Sequence, residues 1–132
     1  MHVNYKVIQS KEFIRANPNG LTDIAQSRQL LSQLADILVA GGGKYELLLD
    51  IRNTFGNLTH DEVWQLVEDL GQHREAFHAK IAILARDDEQ FNRAVFAELC
   101  ATITGFSVKA FKEFEDAINW IESEGGLEDL LL

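Results

Sequence analysis

Two short apolar runs limit what this chain can become more than anything else in it. Residues 45–51 read YELLLDI and residues 80–85 read KIAILA. Each is short enough for a strand and too uniformly apolar for a strand with one wet face, so both belong inside a sheet covered on two sides. A helix signal follows each run. After the first, Thr59-His60-Asp61-Glu62 has the form of a capping box, in which the threonine hydroxyl and the glutamate carboxylate satisfy free backbone N–H groups. Strand, loop, helix and strand in that order point to an α/β layer structure with a mixed, mostly parallel sheet. The two runs should lie side by side in the same direction.

The remaining elements follow from periodicity. Val3, Tyr5 and Val7 alternate with polar neighbours, and FIRA at residues 13–16 follows a polar break, as in an N-terminal hairpin. Asn17-Pro18-Asn19-Gly20 turns the chain. A first helix opens with Thr22 as N-cap and Asp23 in its first turn. It carries Ile24, Leu31, Leu34 and Leu38 in a stripe widened by Leu30 and Ile37, and it stops at Gly41-Gly42-Gly43. The helix after Thr59 turns Val63, Val67 and Leu70 to one side and is weakened at Gly71 by about 1 kcal/mol relative to alanine. A third helix, after Arg86-Asp87-Asp88-Glu89, places Phe91, Val95, Leu99 and Ile103 on one face and ends at Gly105. Val108 and Ala110 alternate with Lys109 and Lys112, as in a strand nearer the sheet edge. The last helix runs from Glu115 to Glu122, turns Ala117, Ile118, Trp120 and Ile121 inward, and is closed by Gly125-Gly126.

At 132 residues the chain has the usual size of one domain. Residues 1–132 are expected to form that domain, with 121–132 as helix end and C-terminal tail. The formal charge is −9 and the basic residues are scattered, a surface that repels a phosphate backbone, so nucleic acid is not an expected partner. No stretch approaches the length of a membrane span, and the polar opening lacks the form of a secretion signal. The lone Cys100 suits a reducing cytoplasm, the expected location.

Several strings carry a family resemblance: NGLT before the first helix, YELLLDIRNTFGNLT, KIAILARDD, FNRAVFAELC and FKEFEDAINWI. Together they resemble the STAS-like group, the sulphate-transporter and anti-sigma-factor-antagonist domains, over about Tyr5 to Ile121. The likeness is strongest to its stand-alone bacterial branch, often grouped with the lipid-binding Sec14-type fold. The resemblance implies four or five strands with about four helices and a role in binding or signalling in a bacterium; no catalytic constellation stands in the sequence, so neither an enzyme nor a cofactor is expected. In phosphorylated antagonists the corresponding strand ends in Asp-Ser-Ser-Gly or a near variant. Here Asp50 fills the first position, but Ile51, Arg52 and Asn53 follow, and the hydroxyls come late, at Thr54 and Thr59.

The candidate site lies where open α/β sheets place ligands, at the carboxyl end of a central strand. Its residues are Asp50, Arg52, Asn53, Thr54, Asn57, Thr59, Trp64, Arg86 and Asp87. Asp50 is expected to accept backbone N–H bonds and Arg52 to pair with Asp87 or Asp88. Thr59 caps its helix, and with Thr54 is the candidate phosphosite, since a helix N-terminus welcomes phosphate. Arg52 with Arg86 would receive an anionic headgroup. Asp50, Asp87 and Asp88 supply too few ligands for a metal, and His2, His60, His73 and His78 contain no zinc-type pair. Cys100 reads as a small core residue, and no serine or glycine-rich loop has the setting of a nucleophile or phosphate cradle. Trp64 is either a core residue or an aromatic anchor. The tail LEDLLL is expected to fold onto an apolar groove of its own domain or of a second copy. The reading is a non-enzymatic module that binds a protein partner, a second copy included. The alternative is a carrier for a small apolar or lipid-like ligand between helices and sheet.

Overall fold

The computed structural model describes residues 13–123 together with the backbone of strand β1, Tyr5–Ile8. Val3, the polar break before Phe13, Gly125-Gly126 and the LEDLLL tail lie outside the described residues. In chain order the elements are β1, β2 (Phe13–Ala16), β3 (Gly20–Leu21), α1 (Ile24–Ala40), β4 (Glu46–Asp50), β5 (Thr54–Phe55), α2 (His60–Leu70), a 3-10 turn (Gly71–His73), β6 (Ile81–Leu84), α3 (Glu89–Ile103), β7 (Val108–Phe111) and α4 (Phe114–Glu122). Five strands form one sheet in the order β1-β2-β4-β6-β7, while β3 and β5 form a separate two-stranded ribbon. β1 and β2 pair antiparallel as the expected hairpin, and every other neighbour in the large sheet is parallel. The two apolar runs are adjacent and run the same way, with Leu47 opposite Ile81 and Asp50 opposite Leu84.

Because successive side chains in a strand point to opposite faces, β4 feeds two cores. Leu47 joins Ile14, Ile81 and Val108 beneath Leu34, Leu38, Val67 and Phe77, on the face covered by α1 to α3. Leu48 turns the other way and packs with Phe13, Ala82 and Leu84 against Ala117 and Ile121 of α4. Both leucines are sealed from solvent, and each such burial contributes about 1.5–3 kcal/mol. β7 lies at the sheet edge, with Val108 and Ala110 buried and Lys109 exposed, as its alternation requires.

Three local expectations are corrected. The N-cap of α1 is Asp23, which accepts from the Gln26 N–H at 2.8 Å, not Thr22. The β3–β5 ribbon takes Thr22 instead: its N–H and hydroxyl both donate to the Phe55 carbonyl, at 2.7 and 3.1 Å. Gly71 does not weaken the interior of α2, because the helix ends at Leu70 and Gly71 opens the 3-10 turn. The Phe91-Val95-Leu99-Ile103 stripe of α3 largely faces outward, with Leu99 57% and Ile103 70% exposed. The buried side of that helix is made by Gln90, Ala94, Cys100 and Ala101. The smaller side chains of α3 pack inside, and Gln90 among them hydrogen-bonds under the β5 loop.

The Thr59–Glu62 capping box forms as expected, and α2 buries Val63, Val67 and Leu70. At the opposite end of the sheet Lys80, just before β6, donates from Nζ to the Trp120 carbonyl at 2.9 Å and to the Ser123 carbonyl and hydroxyl at 2.6 and 3.0 Å. One cation thus satisfies carbonyls that the end of α4 leaves open. Lys80→Ala should lower the unfolding free energy by about 1.5–3 kcal/mol, the range for hydrogen bonds to a charged group. Urea denaturation measures it, and an unchanged midpoint would show that water replaces the lysine.

Candidate functional site

Strand parity also divides the loop after β4 between the two faces of the sheet. Asp50 is two residues past Leu48 and Arg15 two past Phe13, so both belong to the α4 side. Asp50 is 4% exposed and accepts four hydrogen bonds: from the Arg52 backbone N–H (3.1 Å), Arg52 Nε (3.0 Å), Arg52 Nη2 (2.9 Å) and Arg15 Nη2 (3.3 Å). Arg15 also lies 5.0 Å from the centroid of the Phe114 ring. Burial alone would raise the Asp50 carboxyl, but the hydrogen bonds and charge of Arg52, helped by Arg15, outweigh it and hold the group below the ordinary carboxylate range.

The expected pairing of Arg52 with Asp87 or Asp88 does not form. Arg52 folds back on Asp50, where the carboxylate has lost water and gains most from a bidentate partner. Asp87 pairs with Lys112 at 3.0 Å, and Asp88 with Arg86 at 3.1 Å while capping α3.

On the other face, Arg86 and Gln90 hold the β5 loop in place. Arg86 Nη1 donates to the Arg52 and Thr54 carbonyls at 2.6 and 2.8 Å, and its guanidinium lies 5.7 Å from the Phe55 ring centroid. Gln90, 4% exposed, donates to the Ile51 carbonyl at 2.8 Å and to the Thr54 hydroxyl at 3.2 Å, and accepts from the Arg86 N–H at 2.8 Å. Thr54 is buried, and its hydroxyl donates to the Ile51 carbonyl at 2.7 Å. The Thr59 hydroxyl accepts from the Glu62 N–H at 3.1 Å. Asn53 and Asn57 are exposed, as are Phe55 and, marginally, Trp64. Sequence reasoning missed Gln90 altogether, since a glutamine in the first turn of a helix is ordinary until its burial is known.

Behind this loop lies a cavity of about 180 Å³. Its floor is the sheet face bearing Leu47, Leu49 and Ile83, and its roof includes Leu31 of α1, Val67 of α2 and Ala97 of α3. Small alanines on α3 leave the space that larger side chains would fill. Thr22, Phe55, Gly56 and Leu58 belong to the lining where the β3–β5 ribbon crosses it. Gly56 has φ +145°, and a Cβ there would run into the Thr22 carbonyl oxygen, so the closeness of this strap depends on glycine. The polar side chains in the lining are Thr22, Ser27, Thr54, Gln90 and Arg93. Cys100 is buried nearby in the same core, and burial pushes its thiol up, away from the reactive thiolate. Among the described residues no group of His, Cys, Asp or Glu is placed to hold a metal ion, and no helix is long and apolar enough to cross a membrane.

The sequence profile described as SpoIIAA-like matches residues 13–122. Among solved structures, an uncharacterised protein from Shewanella loihica PV-4 with a SpoIIAA-like fold superposes with a TM-score of 0.61 at 20% identity, over 91% of this chain and 92% of that one. Among curated proteins none matches.

The Asp50 cluster makes a pH prediction. The unfolded carboxyl titrates near about 3.9, above its folded value, so between the two the unfolded chain binds more protons and stability rises with pH. The contribution is complete above about pH 5 and drains away as the pH falls through the folded value. Asp50→Asn should cost about 1–3 kcal/mol at neutral pH. The gap from wild type, measured by denaturation across a pH series, should narrow on acidification; a gap independent of pH would refute the assignment.

Proposed function

Since this chain belongs to the SpoIIAA-like family, we propose that it is a non-enzymatic binding module whose ligand is a small apolar molecule held beneath α1, α2 and α3. The observation that carries this reading is the cavity itself: about 180 Å³, lined mainly by aliphatic side chains. Close-packed interiors have few voids of this size, and an apolar cavity of about 150 Å³ stays dry and takes up benzene. The ribbon over the opening is held by backbone pairing and by hydrogen bonds from Arg86, Gln90 and Arg93. The chemistry of the neighbouring groups supports binding over catalysis. The Thr54 and Thr59 hydroxyls are engaged in loop and cap, the Cys100 thiol is held protonated, and Asp50 is neutralised by two guanidiniums.

A second reading, docking of a protein partner, is favoured by the outward stripe of α3. Val95, Leu99 and Ile103 are 41%, 57% and 70% exposed along successive turns of one helix. Apolar residues aligned in this way mark recognition surfaces more often than isolated ones do. Phe55, 61% exposed, belongs to the loop at the carboxyl end of β4 and lines the mouth of the cavity. The two readings are compatible: a ligand that moved α3 would alter the stripe.

Ala97→Leu fills the cavity and separates the readings. It should raise the unfolding free energy by about 1 kcal/mol through added apolar burial and abolish uptake of indole or toluene, measured by calorimetry and thermal unfolding. The wild type should be stabilised by about 2.7 kcal/mol with ligand at 100 times its dissociation constant. Failure of the wild type to take up either probe would end the ligand reading. For the second reading, Leu99→Glu with Ile103→Glu should leave the fold intact and remove concentration-dependent association in sedimentation. If the wild type sediments as a monomer throughout, the stripe is not a self-association surface.

A further inference from the structure

Arg93 stands out among the residues lining the cavity. It lies in the second turn of α3, part-buried, and donates from Nη2 to the Gly56 carbonyl at 3.2 Å. Arg15, Arg28, Arg52 and Arg86 each meet a carboxylate within 3.3 Å, whereas no ion pair forms at Arg93 among the described residues. Glu89, four residues earlier and well spaced for pairing along the helix, accepts from the Asn92 amide instead, at 3.4 Å. Asp88, whose carboxylate feels the charge of Arg93, is engaged by the Gln90 N–H and by Arg86. Among the described residues the Arg93 guanidinium thus has one hydrogen-bond acceptor, the Gly56 carbonyl, and both residues line the apolar cavity near the positive end of a helix.

Resting on the cavity reading, we infer that the ligand carries a single carboxylate, seated on Arg93, with an apolar body of about one ring or a medium-length chain inside. The cavity sets the size, being close to the volume that accepts one aromatic ring. The charge follows from Arg93: one guanidinium with one edge already committed to Gly56 matches one carboxylate, while a dianionic phosphate would need further donors. Ser27, in the first turn of α1, adds a hydroxyl to the lining. Gln90 and Thr54 do not compete for the ligand, because their polar atoms are taken up by the β5 loop. The formal charge of −9 does not prevent this, since salt screens charge beyond about 8 Å.

Calorimetric titration of the full chain with octanoate and hydrocinnamate, against octanol and hydrocinnamyl alcohol, tests the inference. The acids should bind at least roughly tenfold more tightly than the matching alcohols, and the better acid distinguishes chain from ring. Arg93→Gln should bring acid affinity down to the level of the alcohol, with Arg93→Lys in between. Should Arg93→Gln fail to fold, the wild-type comparison of acid with alcohol still decides. Equal affinities for acid and alcohol would overturn the carboxylate and leave the cavity reading standing. Binding of none of the four would overturn both.

Discussion

Parallel pairing of β4 with β6 is the constraint on which the molecule rests. Two neighbouring strands running the same way cannot be joined by a tight turn, so the chain must leave the sheet, cross a face and return. That crossing is α2. The pairing also places Asp50 opposite Leu84 and brings the two following loops to one edge of the sheet. Arg86 can then reach the Arg52 and Thr54 carbonyls, and Gln90 the Ile51 carbonyl. Without that register neither the clamp on the β5 loop nor the mouth of the cavity would exist.

Strand alternation then sorts chemistry by face. The α4 side receives a carboxylate neutralised by two arginines, a structural knot at the strand end. The side of α1 to α3 receives the cavity, with Arg93 in its wall. The same loop therefore closes an ion pair on one face and borders the cavity on the other. Asp50 and Arg52 act together on the α4 side, while Arg86 of the next loop reaches carbonyls on the other.

The family shows a fold and not a chemistry. A SpoIIAA-like domain offers helices packed over a parallel sheet, and in this chain small residues on α3 and a glycine strap border the space between them. Where the phosphorylated antagonists offer a serine directly after the strand aspartate, this chain offers Ile51 and Arg52. Arg52 closes on Asp50, so the position is used for an ion pair.

Much of the architecture was legible before any coordinates. Residues 45–51 and 80–85 declared two buried strands, Thr59 and Glu62 declared a helix start, and Leu34, Leu38, Val63 and Val67 declared inward faces, because each rests on local periodicity or a cap. The partner of Arg52, the inward stripe of α3, the burial of Gln90 and the cavity were not legible. They depend on which segments, distant along the chain, compete for the same volume and the same hydrogen bonds. Local pattern states what a segment can bury; only packing decides what it does bury and where space is left over.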